Sequence, residues 1–236
     1  MPEKQSLKGK SALITGGTRG IGLAIAQALA ERGCRVMITG RNIHGLKASV
    51  RATGISPQRI DVSVPAEVRK LFAAIRKLYG GLDILVNNAG VAHPLTSIEQ
   101  LSFETWKQVI DTNLTGMFLC TREALPSMRA GGTIVNNLSV AAIKPFEGMA
   151  AYNASKAGAL GFTNVLREEI RKRRIRVVAL LPGATDTAIW NQFWPQAPRE
   201  KMVSAATVAE AVAHAVMLPA NTTIEEIRIG PTGGAI

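Results

Sequence analysis

The pentapeptide YNASK, residues 152 to 156, places the phenol of Tyr152 and the ammonium of Lys156 four positions apart. In a helix, positions i and i+4 lie on the same face, so both side chains can reach one small volume. A nearby ammonium stabilises a phenolate and makes tyrosine usable for proton transfer near neutral pH. The pair permits this chemistry without requiring it, because many chains carry the same spacing by chance. The rest of the sequence must supply a helix and a ligand site.

Short apolar or β-branched runs alternate with longer amphipathic runs along the chain. We predict seven strands, at 11–15, 35–39, 58–62, 83–87, 133–138, 176–181 and 225–229. We predict helices at 21–31, 43–52, 66–78, 103–129, 152–171 and 208–217. Ser102 is the expected start signal of the fourth helix, and the capping box TVAE, residues 207–210, that of the last.

The central predicted strands are apolar without alternation, as expected for parallel strands covered on both faces. The pattern therefore predicts an α/β fold: a single doubly wound, Rossmann-type domain over residues 1–236. Its seven-stranded parallel sheet would be flanked by helices on both faces. Ligands of such sheets bind beyond the carboxyl ends of the strands, so functional residues are expected just after each strand.

Composition excludes several classes of protein. No apolar run approaches the roughly 18 residues of a membrane span, and the first ten residues are polar, so we expect a cytoplasmic protein without membrane contact. Cys34 and Cys120 follow no metal-ligand spacing, and His44, His93 and His214 are far apart in sequence. We expect reduced thiols and no metal site.

The formal net charge is +11, from 28 basic and 17 acidic residues. The densest basic cluster, RKRRIR at 171–176, would suit a polyanion. It lacks interleaved aromatic or recognition residues, and it follows a predicted helix whose C-terminus favours cations. We therefore expect a structural cluster and no nucleic-acid partner, with part of the surplus charge serving a phosphate-bearing cofactor.

A glycine-rich turn, TGGTRGIG at 15–22, follows the first predicted strand and opens a helix. Glycines let the backbone approach a pyrophosphate, and the helix N-terminus offers free N–H groups to it. This context favours dinucleotide binding over a plain tight turn. The candidate binding residues are Gly16, Thr18, Arg19, Gly20, Ile21 and Gly22.

The second strand ends in TGRN, where an acidic residue usually accepts the adenine ribose hydroxyls of NAD(H). This chain has Gly40 there, followed by Arg41, and Arg19 lies inside the glycine loop. Two guanidiniums without a carboxylate suit a 2′-phosphate, although arginines in loops are often merely solvated. We predict NADP(H) as the preferred cofactor, with NAD(H) possible.

Small and polar residues end the remaining strands. Asp61 and Val62 follow the third, and NNAG at 87–90 follows the fourth, where Asn88, Ala89 and Gly90 would let the backbone crowd an adenine and a ribose, or would form only a turn. Ser139 follows the fifth strand. The sixth is followed by Pro182, Gly183, Thr185 and Thr187.

Together these motifs, in this order, resemble those of the short-chain dehydrogenase/reductase family. The resemblance covers TGxxxGIG, the Asp61–Val62 pair, NNAG, the lone Asn113 in DTNLTG, Ser139, YxxxK and the Pro-Gly turn with its threonine. It implies hydride transfer between a nicotinamide and a carbonyl or alcohol carbon. It also implies a homo-oligomer, a tetramer or dimer, formed through the fourth and fifth helices and the last strand.

The resemblance also assigns roles to residues. Tyr152 would donate the proton in reduction, with Lys156 lowering the phenol pKa and binding the nicotinamide ribose. Ser139 would bind the substrate oxygen, or would be a satisfied hydroxyl at a strand end. Asn113 would hold a water that links Lys156 to solvent, or would have a purely structural role. Thr187, or Thr185 if the register differs, would contact the nicotinamide carboxamide.

The substrate side is predicted from the segment at about 184–204, which contains Trp190, Phe193 and Trp194. These rings would form a lid over an apolar substrate, or would simply anchor a short helix. Phe146, Met149, His93 and Pro94 are further candidates for the pocket wall. The segment is short, which suggests an open pocket.

We therefore expect an NADP(H)-dependent oxidoreductase acting on a small, apolar carbonyl or alcohol. The alternative is a regulatory protein that senses NADP(H) without turnover. Such a protein would usually lose the tyrosine or the lysine, and this chain retains both.

Overall fold

The structure is a computed structural model that describes residues 6–43 and 54–234. Seven parallel strands form one sheet in the order β3-β2-β1-β4-β5-β6-β9, which confirms the predicted α/β fold. The strands are β1 Ser11–Ile14, β2 Arg35–Gly40, β3 Ser56–Arg59, β4 Leu82–Asn87, β5 Met128–Asn137, β6 Arg176–Pro182 and β9 Glu226–Ile229. Two short strands, β7 Thr185–Asp186 and β8 Val203–Ser204, pair separately.

The α-helices of the described residues are α1 Gly20–Glu31, α2 Pro65–Tyr79, α3 Phe103–Ile110, α4 Gly116–Ala124, α5 Ala150–Ile170 and α6 Ala205–Met217. The helix predicted over 43–52 lies almost wholly outside the described residues. None of the described helices is long and apolar enough to cross a membrane.

Both faces of the sheet are covered. In β1, the side chains of Ala12 and Ile14 pack with helices α1 and α6, whereas Leu13 packs with α2, α4 and α5 on the opposite face. Because strand side chains alternate in direction, each central strand must be apolar at every position. This accounts for the continuous apolar runs in the sequence.

Several predicted element boundaries are wrong; strand β5, for example, begins at Met128 and not at residue 133. Three of the errors have a clear physical cause. Strand β3 ends at Arg59 instead of continuing to residue 62, because the Asp61 carboxylate accepts hydrogen bonds from the main-chain N–H and hydroxyl of Ser63 and starts a turn. Helix α6 begins earlier than the predicted capping box, because the Ser204 hydroxyl, not that of Thr207, caps it by accepting from the Thr207 N–H at 3.0 Å.

The third error concerns the helix predicted over 103–129. Helices α3 and α4 are separated by a π-helical turn, Asp111–Thr115. The chain then passes through a 3-10 turn, Leu125–Ser127, into β5. Pro126 lies in that turn and cannot supply the N–H that a continuing α-helix needs.

The basic cluster at 171–176 is used within the protein. Arg171 forms an ion pair with Glu168, and Arg173 donates to the Leu125 carbonyl. Arg176 donates to the carbonyls of Ala215, Val216 and Leu218, at the C-terminus of α6. Cations therefore do stabilise a helix terminus here, although Arg176 caps the last helix and not the one that precedes it.

Candidate active site

A cavity of about 940 Å³ opens at the carboxyl edge of the sheet. It is lined by most of the residues that the sequence singles out, brought together from the ends of different strands. These are Gly16, Thr18, Arg19, Gly20, Ile21, Arg41, Asp61, Val62, Asn88, Ala89, Gly90, Ser139, Tyr152, Lys156, Pro182, Gly183, Thr185 and Thr187. Of the predicted catalytic and cofactor-binding residues, Gly22 and Asn113 do not line it.

The glycine loop forms one end of this cavity. Gly16 has a φ of +61°, and a Cβ there would lie 2.7 Å from the Ala89 Cα. A side chain at Gly22 would collide with the Asn88 amide. Gly22 therefore makes room for a neighbouring side chain, and Gly16 allows the glycine loop to pack closely against the backbone at Ala89.

Two cations lie beside this loop. Arg19 and Arg41 both line the cavity and are exposed. Neither guanidinium makes a hydrogen bond or ion pair with any described residue. A Cβ at Gly40 would lie 2.6 Å from the Thr18 Cγ2, so the position that usually carries an acidic residue is filled by the threonine. This end of the cavity therefore suits an anion.

Helix α5 presents Tyr152 and Lys156 to the opposite part of the cavity. The Lys156 Nζ lies 5.6 Å from the centre of the Tyr152 ring and donates a hydrogen bond of 3.0 Å to the Asn137 carbonyl. Lys156 is only 5% exposed, and this burial lowers its pKa to about 8.

The expectation that Tyr152 has a lowered pKa is wrong for this structure. Burial raises the pKa of the Tyr152 phenol, while a hydrogen bond with Ser139 acts in the opposite direction. The loss of hydration destabilises the phenolate by more than the hydrogen bond with Ser139 stabilises it. The sequence spacing placed the lysine correctly but contained no information on how deeply the phenol is buried.

Ser139 occupies the end of β5 next to Tyr152. Its Oγ caps the short 3-10 turn Val140–Ala142 by accepting from the Ala141 N–H at 3.1 Å. This bond uses the oxygen only as an acceptor, so the Ser139 O–H can still donate, either to Tyr152 or to a ligand. Ser139 can therefore offer a hydrogen bond to an oxygen in the cavity.

Asn113 lies in the π-helical turn and is 1% exposed. Its Oδ1 accepts from the Val91 N–H at 2.8 Å, and its Nδ2 donates to the Val91 carbonyl at 2.9 Å. The Nδ2 also donates to the Ser155 Oγ at 3.0 Å. These bonds fasten the loop after β4 to helix α5, and the water-holding role of Asn113 stays a prediction.

The aromatic segment covers the substrate side. Trp190, in the 3-10 turn Ala188–Gln192, donates from Nε1 to the Thr185 carbonyl at 2.9 Å. Its ring lies 4.8 Å from that of Phe193 and 6.1 Å from that of Trp194, and all three rings line the cavity. The rings therefore both anchor the segment and form one wall of the cavity. We call residues 187–202 the lid.

The other predicted wall residues divide into two pairs. Phe146 and Met149 line the cavity, whereas His93 and Pro94 do not. His93 is 2% exposed, with its Nδ1 2.7 Å from the Pro94 carbonyl. No group of three or more His, Cys, Asp and Glu side chains in the described part of the chain could hold a metal ion.

Comparison with known proteins decides the family. The family described as short chain dehydrogenase matches residues 10–198. The chain belongs to the short-chain dehydrogenase/reductase family. It is therefore an oxidoreductase of the kind that acts on alcohol and ketone groups.

Individual short-chain dehydrogenases/reductases are similar over most of their length. Human dehydrogenase/reductase SDR family member 4 is 37% identical over 208 residues, which cover 85% of this chain and 75% of the human protein. Human family member 11 is 32% identical over an alignment of 254 positions, gaps included, that covers 98% of this chain and 97% of that protein. An alcohol dehydrogenase of Thermococcus sibiricus complexed with 5-hydroxy-NADP superposes with a TM-score of 0.88 at 28% identity, covering 96% of this chain and 98% of that one.

Sequence reasoning missed several residues that hold this short-chain dehydrogenase/reductase site together. Thr15 Oγ1 accepts from the N–H groups of Asn88 and Ala89 at 3.0 and 3.1 Å. Gln192 Oε1 accepts from the Ala92 N–H at 3.0 Å and so ties the lid to the loop after β4. Asn137 was also missed, although two successive asparagines in a buried strand are a usable signal, because buried amides need partners.

Proposed function

We propose that this chain is an NADP(H)-dependent oxidoreductase that interconverts a carbonyl and a secondary alcohol of a small, apolar substrate. One observation carries the proposal: Tyr152, Ser139 and Lys156 line a single cavity with the glycine loop. A proton donor, a second hydrogen-bond donor and a cation thus meet beside a dinucleotide-type loop. The apolar rings of the lid favour an apolar substrate.

The residues at the other end fit the cofactor. A side chain at Gly16 would collide with the Ala89 backbone, so glycine keeps this turn tight. The turn lines the cavity and leads into the N-terminus of α1, which suits a pyrophosphate lying against the backbone. Arg19 and Arg41 offer guanidiniums that no described carboxylate occupies, which supports a 2′-phosphate. Thr185 and Thr187, with the Pro182–Gly183 turn, would hold the nicotinamide end.

When bound, the nicotinamide supplies the hydride to the carbonyl carbon, or accepts it in the reverse direction. Ser139 and Tyr152 donate hydrogen bonds to the substrate oxygen and so stabilise its developing negative charge. Tyr152 then transfers its proton to that oxygen. Lys156 stabilises the resulting phenolate. This stabilisation is needed because burial raises the pKa of the Tyr152 phenol and so disfavours its charged form. With a pKa of about 8, Lys156 remains mostly protonated at neutral pH.

Turnover of a panel of carbonyl substrates with NADPH and with NADH tests this proposal. We expect NADPH to be preferred, and Tyr152→Phe to lower kcat by roughly 10²- to 10⁴-fold, the usual contribution of a positioned acid. Cofactor binding, measured by NADPH fluorescence, should be retained in this variant, since only the hydroxyl is lost.

Each part of the proposal has its own contradicting outcome. Turnover that survives Tyr152→Phe would contradict the proton-transfer role. Preference for NADH would contradict the assignment of Arg19 and Arg41. Binding of NADPH without turnover of any substrate would favour a sensor.

A further inference from the structure

Two successive asparagines end strand β5, and their side chains lie on opposite faces of the sheet. Asn136 is fully buried, accepts from Asn87 Nδ2 and donates to Thr163 Oγ1, both at 2.9 Å. Asn137 instead lines the cavity. The proposed mechanism gives this second asparagine no role.

Asn137 contacts both ends of the site. Its main-chain carbonyl accepts from Lys156 Nζ at 3.0 Å. Its Nδ2 donates to Asn88 Oδ1 at 2.8 Å, and Asn88 Nδ2 donates to the carbonyls of Thr15 and Gly16. One residue therefore connects the catalytic lysine to the glycine loop.

These bonds fix which way the Asn137 amide is turned. Asn88 uses its Nδ2 on two carbonyls, so its Oδ1 must be the acceptor, and only the Nδ2 of Asn137 can donate to it. The Asn137 Oδ1 is thereby directed away from Asn88. It is buried and has no hydrogen-bond partner, in a residue that is 9% exposed.

A buried acceptor without a donor is unfavourable and uncommon, so it calls for a partner. Asn137 lines the part of the cavity that also contains Lys156, Tyr152 and Ser139, which is the nicotinamide end of the proposed cofactor site. The hydroxyl and amide groups of a nicotinamide riboside are donors of the kind that this oxygen lacks.

We infer that Asn137 is a cofactor-binding residue whose Oδ1 accepts a hydrogen bond from the nicotinamide riboside half of the dinucleotide. Its Nδ2 and main-chain carbonyl at the same time position Asn88 and Lys156. The inference rests on the proposed function, because it requires a bound nicotinamide dinucleotide.

Binding of two ligands to Asn137→Leu tests the inference without any turnover. The ligands are NADPH, followed by its fluorescence, and adenosine 2′,5′-bisphosphate, followed by competition, which lacks the nicotinamide half. We expect Asn137→Leu to weaken NADPH binding roughly tenfold, the size of one lost hydrogen bond, and to leave the bisphosphate affinity within about twofold of wild type.

Asn136→Leu is the matched control, since it makes the same change at the adjacent position on the other face. We expect it to lower the melting temperature while NADPH affinity stays near that of wild type. Asn137→Ala carries the same test with a smaller side chain, should the leucine variant not fold.

The outcomes separate the inference from the proposed function. Equal NADPH affinity in wild type and both Asn137 variants overturns the inference alone. An equal loss for NADPH and for the bisphosphate also overturns it, because the effect would then act through Asn88 on the glycine loop. A wild type that binds neither NADPH nor NADH contradicts the proposed function and the inference with it.

Discussion

Lys156 carries a positive charge in a buried position, and the burial of that charge destabilises the fold. The side chain is 5% exposed and has a hydrogen bond to one main-chain carbonyl. Its pKa of about 8 shows that the charged form is less favoured than in water. A side chain that only stabilised the fold would be better replaced by an apolar one, so Lys156 is more consistent with a functional role.

The pH dependence of stability should reveal this cost. Burial lowers the Lys156 pKa from 10.5 to about 8 in the folded chain, so between these values the unfolded chain binds more protons and stability rises with pH. Between pH 7 and pH 10, we expect the free energy of unfolding of wild type to rise by about 2 to 3 kcal/mol relative to Lys156→Met.

Denaturant unfolding of both proteins at the two pH values measures this difference, in which the titration of other groups largely cancels. The range stops at pH 10 because the raised pKa of Tyr152 has the opposite effect above it. Parallel pH profiles for the two proteins would show that Lys156 is not buried as described.

At the scale of residues, the sequence predicted which side chains lie together in the cavity, but not their burial, their hydrogen-bond partners or their pKa shifts. Tyr152, Ser139 and Lys156 could be found because their motifs follow the order of the short-chain dehydrogenase/reductase family, whereas the Tyr152–Lys156 spacing alone only permits the chemistry. Asn137 and Gln192 could not be assigned partners, because those partners are distant in sequence. The direction of the Tyr152 pKa depends on burial, which spacing does not contain.

Among the elements, the lid is held together by Arg199, in addition to the bonds of Gln192 and Trp190 described above. Arg199 donates to the Thr187 carbonyl at 2.6 Å, to Asp186 Oδ1 at 3.0 Å and to Asn191 Oδ1 at 2.7 Å. Thr187 in turn lies against the glycine loop, since a Cβ at Gly20 would be 3.2 Å from its Cγ2. The position of the lid over the cavity therefore depends on a guanidinium fork that lysine cannot reproduce.

Arg199→Met should loosen the lid without disturbing the sheet. We expect the KM of the carbonyl substrate to rise roughly tenfold, as for the loss of a charge-assisted hydrogen bond, with a smaller change in NADPH affinity. Steady-state kinetics gives the KM, and the fluorescence of Trp190 and Trp194 reports on the lid. Arg228→Met removes an exposed, ion-paired arginine of strand β9 and is the control.

The errors in element prediction have physical causes. The amphipathic pattern over 103–129 does continue through α3 and α4, so periodicity alone could not locate the π-helical turn at Asp111–Thr115. Pro126 is a sequence signal that the helix ends earlier. The start of α6 was misplaced because Ser204 caps it without the glutamate that completes a capping box.

For the whole molecule, the surplus charge is divided between two uses. Arginines of the 171–176 cluster bind carbonyls and carboxylates of the same chain, whereas the side chains of Arg19 and Arg41 make no such contact with a described residue.

The helices beside the sheet also expose large apolar side chains, with Phe103 70%, Phe118 42% and Val165 59% exposed on α3, α4 and α5. An apolar surface of this kind is typical of contacts between subunits.

We expect the chain to form a homo-oligomer through these helices, and Val165→Glu to produce a smaller species. A buried carboxylate without a partner strongly disfavours an apolar interface. Light scattering after size-exclusion chromatography measures the mass. Leu78→Glu is the control, because Leu78 is also 59% exposed but lies on α2; a wild type that elutes as a monomer contradicts the prediction.

The small pairing of β7 with β8 separates the lid from the scaffold. Thr185 pairs with Val203 and Asp186 with Ser204, so both ends of the lid are fixed side by side. The entropy of closing such a loop grows only slowly with its length. Residues can therefore be gained or lost between 187 and 202 at little cost to folding, which leaves the pocket free to diversify in evolution while the cofactor half of the molecule stays unchanged.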